Sequence, residues 1–161
     1  MIGQSGEFVG KIMGGIEMSL FSSLDIVGSA LTAERFRTDI ISQNIANADS
    51  TATTNGEPYR SQQVVLEEVP LSFSDELNKA SSSNDGGGVK VSQVVKSNRD
   101  FSSKYDPTNP LANSEGYVLS SNVDTTEEMV DIMAASNAYQ ANLTALSVVK
   151  AMINKTIELG S

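Results

Sequence analysis

The chain has 161 residues, 39% of them apolar, and its eleven Lys and Arg against twenty Asp and Glu leave a formal charge of −9. Phosphate recognition needs clustered basic side chains, and here they are scattered, so nucleic acid is excluded as a partner. The absence of His and Cys removes disulfides, thiolate nucleophiles, Cys-based zinc sites, the usual neutral-pH general base and the commonest metal ligand, and no cofactor is expected.

Residues 1–17 are Gly-rich and weakly patterned. They read as a flexible leader, an expression remnant or the product of an early start codon, with Met18 the alternative start. They lack the apolar run of roughly 7–15 residues that a cleavable secretory signal needs. No stretch anywhere approaches the roughly 18 apolar residues of a membrane span, so the protein is expected not to be membrane-embedded.

A first long helix is predicted from Ser19 to about Asn47. Leu20, Leu24, Val27, Leu31, Ile41 and Ile45 fall on a 4-3-4 grid, with Thr38 filling one gap. A period of about 3.5 residues makes a narrow apolar seam that wants another helix. Gly28 interrupts the run, read as a close helix–helix approach or a bend. The polar run Asn47 to Thr51 should end the helix, because its side chains compete for backbone hydrogen bonds, and Asn55-Gly56 before Pro58 marks a turn.

Between the helices, Tyr59 to Val69 reads as a strand and Leu71 to Leu77 as another short piece. Residues 78–88 form a low-complexity loop expected to be disordered. Its triple glycine lacks the Lys-Ser/Thr that would complete a phosphate loop. Val89 to Val95 alternates at period two and is the clearest strand. Ser97 to Gly116, with Asp106-Pro107 and Asn109-Pro110, is predicted as an extended, turn-rich connection, and Tyr117 to Leu119 as a last short strand.

A second long helix begins at Asp124. Asp124 can accept from the exposed amides of the first turn, with Glu127 completing a capping box and Glu127 and Glu128 complementing the positive helix start. A catalytic pair is the sharper reading of the two glutamates, but neighbours on a helix point about 100° apart and converge poorly. Ile132, Tyr139, Leu146 and Ile153 recur every seven residues, flanked by Met129, Leu143 and Ile157, and Gly160 stands where a C′ glycine belongs.

The expected fold is therefore mainly α with a small β-rich insert. Residues 1–17 are a leader, 18–55 the N-terminal helix and linker, 56–121 the β-rich middle and 122–161 the C-terminal helix. With no convergent titratable cluster, assembly is favoured over catalysis. Ala30, Ala33, Phe36 and Ile40 on the first helix, and Ala135, Ala138, Ala145, Val149 and Met152 on the second, widen the apolar surface beyond the seams. A two-helix hairpin leaves such faces unpartnered, which points to further subunits. It also predicts that the isolated chain is partly unfolded at its ends. A cytoplasmic coiled-coil adaptor or chaperone is the alternative class.

Residues 19–51, SLFSSLDIVGSALTAERFRTDIISQNIANADST, with the run Asn44-Ile45-Ala46-Asn47-Ala48, resemble the N-terminal helix of the rod and hook proteins of the bacterial flagellar axis. Gly56-Glu57-Pro58-Tyr59-Arg60, Gly116 to Leu119 leading into Asn122-Val123-Asp124, and the C-terminal helix with Ala138 to Asn142 resemble the proximal-rod branch of that family; longer rod or hook subunits should carry a larger middle segment. The resemblance implies a structural basal-body rod subunit, self-assembling into a torque-transmitting shaft. It also implies uncleaved export by the flagellar type III apparatus to an extracytoplasmic position in the cell envelope. Implied partners are other copies, other rod proteins, and hook–basal-body and export-gate proteins, with no small-molecule substrate. The terminal helices would pair as an antiparallel coiled coil around the channel, with Asn44, Asn47 and Asn142 bonding across helices to set register.

Overall fold

The computed structural model describes the backbone of residues 4–51, 56–69 and 87–160, and the side chains of residues 20–158 within those spans. The element order is α1 (Gln4–Ala46), β1 (Gln62–Glu68), β2 (Val89–Lys96), β3 (Ser102–Tyr105), β4 (Tyr117–Ser120) and α2 (Thr125–Gly160). Two helices of 43 and 36 residues bracket two small sheets, so the fold is mainly α with a β insert.

α1 starts at Gln4, well before the predicted Ser19. Extending an existing helix adds a hydrogen bond per residue without a new nucleus, so interspersed glycines, each costing up to about 1 kcal/mol against Ala, do not stop it. Gly28 faces open space. A Cβ placed there would meet nothing within 4 Å, so no close approach requires the glycine in this chain. At the other end α1 tightens: Asn47 N donates to both Gln43 O and Asn44 O, and Ala48 N to Ile45 O, before Ser50 N closes onto Asn47 O at 3.1 Å. Such shortened bonds satisfy the last carbonyls.

β1 and β2 form one two-stranded sheet. Val69 N donates to Gly88 O and Ser97 N to Ser61 O, both at 2.8 Å, which makes the pair antiparallel. β2 spends one residue more than β1 between those two bonds, the signature of a β-bulge, and its alternation of half-buried and exposed residues ceases after Ser92. The predicted piece at Leu71 to Leu77 and most of the predicted loop lie outside the described residues.

β3 lies in the stretch Ser97 to Gly116 that the sequence predicts as an extended, turn-rich connection. It pairs with β4, Ser102 opposite Ser120 and Tyr105 opposite Tyr117. All four of its side chains are exposed, so no alternation announces it; backbone pairing alone makes it a strand. The turn between is built from Asx bonds. Asp106 Oδ1 accepts from Thr108 N, Asn109 Oδ1 from Leu111 N, and Asn113 Oδ1 from both Glu115 N and Tyr117 N. Gly116 has φ +81°, and a Cβ there would lie 2.9 Å from Tyr105 Cε2. The Tyr105 and Tyr117 rings meet edge to face, centroids 5.3 Å apart.

The chain forms two compact units. One takes α1 up to Ala33, the β1–β2 ribbon from Glu67 and up to Lys90, and α2 from Tyr139. In it, Ser29 Oγ donates to Ile26 O and accepts from Val89 N. The other takes Glu34 to Leu66 and Val91 to Ala138. It contains the buried Ile41, Asn44, Ser61, Val118, Ser121, Glu128 and Ala135. Among the described residues, no helix is long and apolar enough to cross a membrane.

Candidate functional site at the helix junction

Within the second unit, Asn44 is the largest fully buried side chain, 1% exposed. Its Nδ2 donates to Gln62 O and to Glu128 Oε1, each at 2.8 Å, while its Oδ1 accepts from Gln62 N and from the Tyr59 hydroxyl, each at 3.0 Å. An amide has two donors and two acceptor positions, and all four are used. Two other chain segments, the approach to β1 and the first turn of α2, converge on this one residue of α1.

Glu128 sits on the first turn of α2 and is 8% exposed. Its Oε1 also accepts from Ser61 Oγ at 3.3 Å. Burial raises its carboxyl above the ordinary value; bonds from Asn44 and Ser61 oppose this, and the Asp131 and Glu127 charges add to it. Burial, with Glu128 nearby, likewise raises the Tyr59 hydroxyl.

Glu127 turns outward. Its carboxylate accepts from Arg99 Nη1 and Nη2, at 2.5 and 3.0 Å, so the reciprocal half of the expected capping box is replaced by a bidentate ion pair. Asp124 caps α2 by accepting from Thr126 N at 2.8 Å and Glu127 N at 3.3 Å, and these bonds lower its pKa. Around this core, Ser61 N donates to Asn122 Oδ1, Asn122 Nδ2 to Arg99 O, Ser121 N to Ser50 O, and Tyr59 N to Ser50 Oγ. Arg60 lies over the Phe101 ring, 4.1 Å from its centroid. The linker is thereby tied to both helix ends by polar bonds.

The seam residues are less covered. On α1, Ile41 is buried, while Leu20, Leu24, Val27, Leu31 and Ile45 are half-buried. On α2, Ile132, Leu146 and Ile153 are half-buried, and Met129, Tyr139, Leu143 and Ile157 are exposed, Ile157 by 61%. Ala33 and Ala135, read from sequence as a second face, are buried more fully than the seams. Asn47 bonds back to Gln43 O on its own helix. Asn142 is half-buried and makes no side-chain hydrogen bond among the described residues.

Sequence reasoning missed Tyr59, Ser61 and Glu128 as partners of Asn44. The only available signal was polarity at a seam-adjacent position, which does not name partners distant in the chain. Among the described residues, no cluster of acidic side chains is arranged to hold a metal.

Residues 24–52 match the family profile described as flagella basal body rod protein, and residues 114–159 match that of the flagellar basal body rod FlgEFG protein C-terminal region. The chain is 46% identical over 149 residues to the flagellar basal-body rod protein FlgC of Bacillus subtilis, covering 89% of this chain and 99% of that protein. It is 43% identical over 143 residues to FlgC of Salmonella typhimurium, with the same coverage. Both matched segments contain the residues of the junction's helices, Asn44 in one and Glu128 in the other. The chain belongs to the FlgC family of flagellar basal-body rod proteins, structural subunits rather than enzymes.

Proposed function

We propose that this rod subunit pairs its terminal helices as an antiparallel coiled coil forming the inner layer of the proximal rod, with the β sheets outside. The carrying observation is the apolar surface left exposed along α2, where Met129, Val130, Met133, Val148, Met152 and Ile157 are each 47% exposed or more. Large apolar side chains left exposed in this number are expected to be covered by neighbours, and heterologous contacts that do not close on themselves generate a helical tube. Other copies and other rod proteins are the partners, with hook–basal-body and export-gate proteins met during assembly. The seam residues hold the pair together and the outer faces join neighbours, so torque passes through packed helices. Export by the flagellar type III route would deliver the chain to an extracytoplasmic position in the envelope.

Met133→Asp tests this reading. The side chain is 58% exposed, so the free subunit should keep its fold and abundance, whereas buried in an assembled wall the charge should abolish rod formation and swimming. Leu146→Asp, on the seam, should also stop assembly. Normal motility of Met133→Asp cells, or its absence from basal bodies in the parent, would refute the proposal.

A further inference from the structure

We propose that Glu128 is a proton-operated latch, in which a proton taken from solvent onto Oε2 tightens the junction of α1, the approach to β1 and α2, and its loss loosens that junction. Among the described residues no cation forms an ion pair with this carboxylate. Both of its donors, Asn44 Nδ2 and Ser61 Oγ, converge on Oε1, which leaves Oε2 to carry the proton without breaking either bond. Arg99, the basic residue nearest in the network, is spent on Glu127 through a bidentate pair.

The groove beside Glu128, about 260 Å³, brings in Arg37 from α1 and Asp131 from α2, along with Ile41 and Gln62. From the approach to β1 come the neutral Tyr59 and Ser61, while its cation, Arg60, is held over the Phe101 ring. α2 contributes Asp131, Glu127 and Asp124, all acidic. The like charges of Asp131 and Glu127 both oppose ionisation of Glu128, as burial does more strongly. An ionised carboxylate in this position is a buried charge with hydrogen bonds but no direct ion pair, the Arg99 charge reaching it only at longer range.

The sign follows from the direction. A carboxyl whose folded pKa lies above its unfolded value binds protons preferentially in the folded state, so the fold is strengthened on the acid side of that window. Stability is then lost as pH rises from the ordinary glutamate value of 4.5 through the folded value. Asp124 and Glu127 behave oppositely. Their pKa values are lowered by backbone bonds and by Arg99, so their contribution disappears only as pH falls below the ordinary range. The two effects occupy different pH intervals.

Urea unfolding of the full chain between pH 4.5 and neutrality, with and without Glu128→Gln, reads the latch directly. Gln keeps the volume and an acceptor oxygen for Asn44 and Ser61. The parent midpoint should fall as pH rises; the variant's should stay flat and exceed the parent's at neutral pH. Carboxyl-carbon NMR titration of the parent chain is independent of whether the variant folds. One glutamate should titrate above 4.5, and in the folded variant that resonance should be gone. A variant with the parent's pH slope, or glutamates that all titrate at or below 4.5, would overturn the proposal.

Discussion

Asn44 is where a single atom exchange should separate hydrogen bonding from packing. Asn44→Ala leaves the Tyr59 hydroxyl, both backbone groups of Gln62 and the Glu128 carboxylate without this partner, a loss expected to cost about 2–3 kcal/mol. Asn44→Asp keeps the shape and both acceptor positions but replaces the donor facing Glu128 with an oxygen. Two carboxylates at such separation cannot both ionise without strong repulsion. At neutral pH the Asp variant should therefore be at least as unstable as Ala. On acidification it should recover, because one shared proton restores a donor, whereas Ala should not. Chemical unfolding at neutral and mildly acidic pH checks both statements, and equal pH responses in the two variants would refute them.

At the scale of elements, two glycines make opposite demands. Gly28 lies within α1 at a position where a Cβ meets open space, so Gly28→Ala should stabilise the free subunit by about 0.5–1 kcal/mol. Gly116 combines a left-handed φ with contact against Tyr105 and Pro107, so Gly116→Ala should destabilise by about 1–2 kcal/mol. Thermal or urea unfolding of the pair gives the test; the same sign for both would contradict the local account. If Gly28 allows close approach only within the assembled rod, the stabilised variant will show an assembly defect.

Element type was legible where side chains carry it. The 3.5-residue spacing gave both helices, the Asn47 to Thr51 run gave the end of α1, Asp124 gave the start of α2, and alternation from Val89 gave β2. What escaped was held by backbone or by long range. β3 exists through pairing with β4, and the true start of α1 depends on propagation that local glycine content does not reveal. Glu128 was legible as a helix-start acid but not as a buried partner, because its partners Asn44 and Ser61 come from two segments distant in the chain.

For the whole molecule, the balance between buried and exposed apolar surface governs behaviour before assembly. Polar bonds join the linker to α1 and α2 in one unit, while apolar residues along α2 stay uncovered. The junction should accordingly outlast the helix ends. Circular dichroism of the monomer is expected to show less helix than segments of 43 and 36 residues imply, and hydrogen exchange should be slowest near Asn44, Gln62 and Glu128. Full helicity in a verified monomer would contradict this.

The way Asn44 meets Gln62 also bears on how such chains avoid sticking to one another prematurely. Its amide engages both the N–H and the C=O of that residue, as a neighbouring strand would. Gln62 faces away from β2, since Ser61 and Val69 make the inter-strand bonds. The side chain thus plugs one end of an otherwise open strand edge, denying a foreign strand its first rung. A concentrated pool of Asn44→Ala subunits should for this reason form β-rich aggregates sooner than the parent, a hazard quite separate from the stability the residue provides.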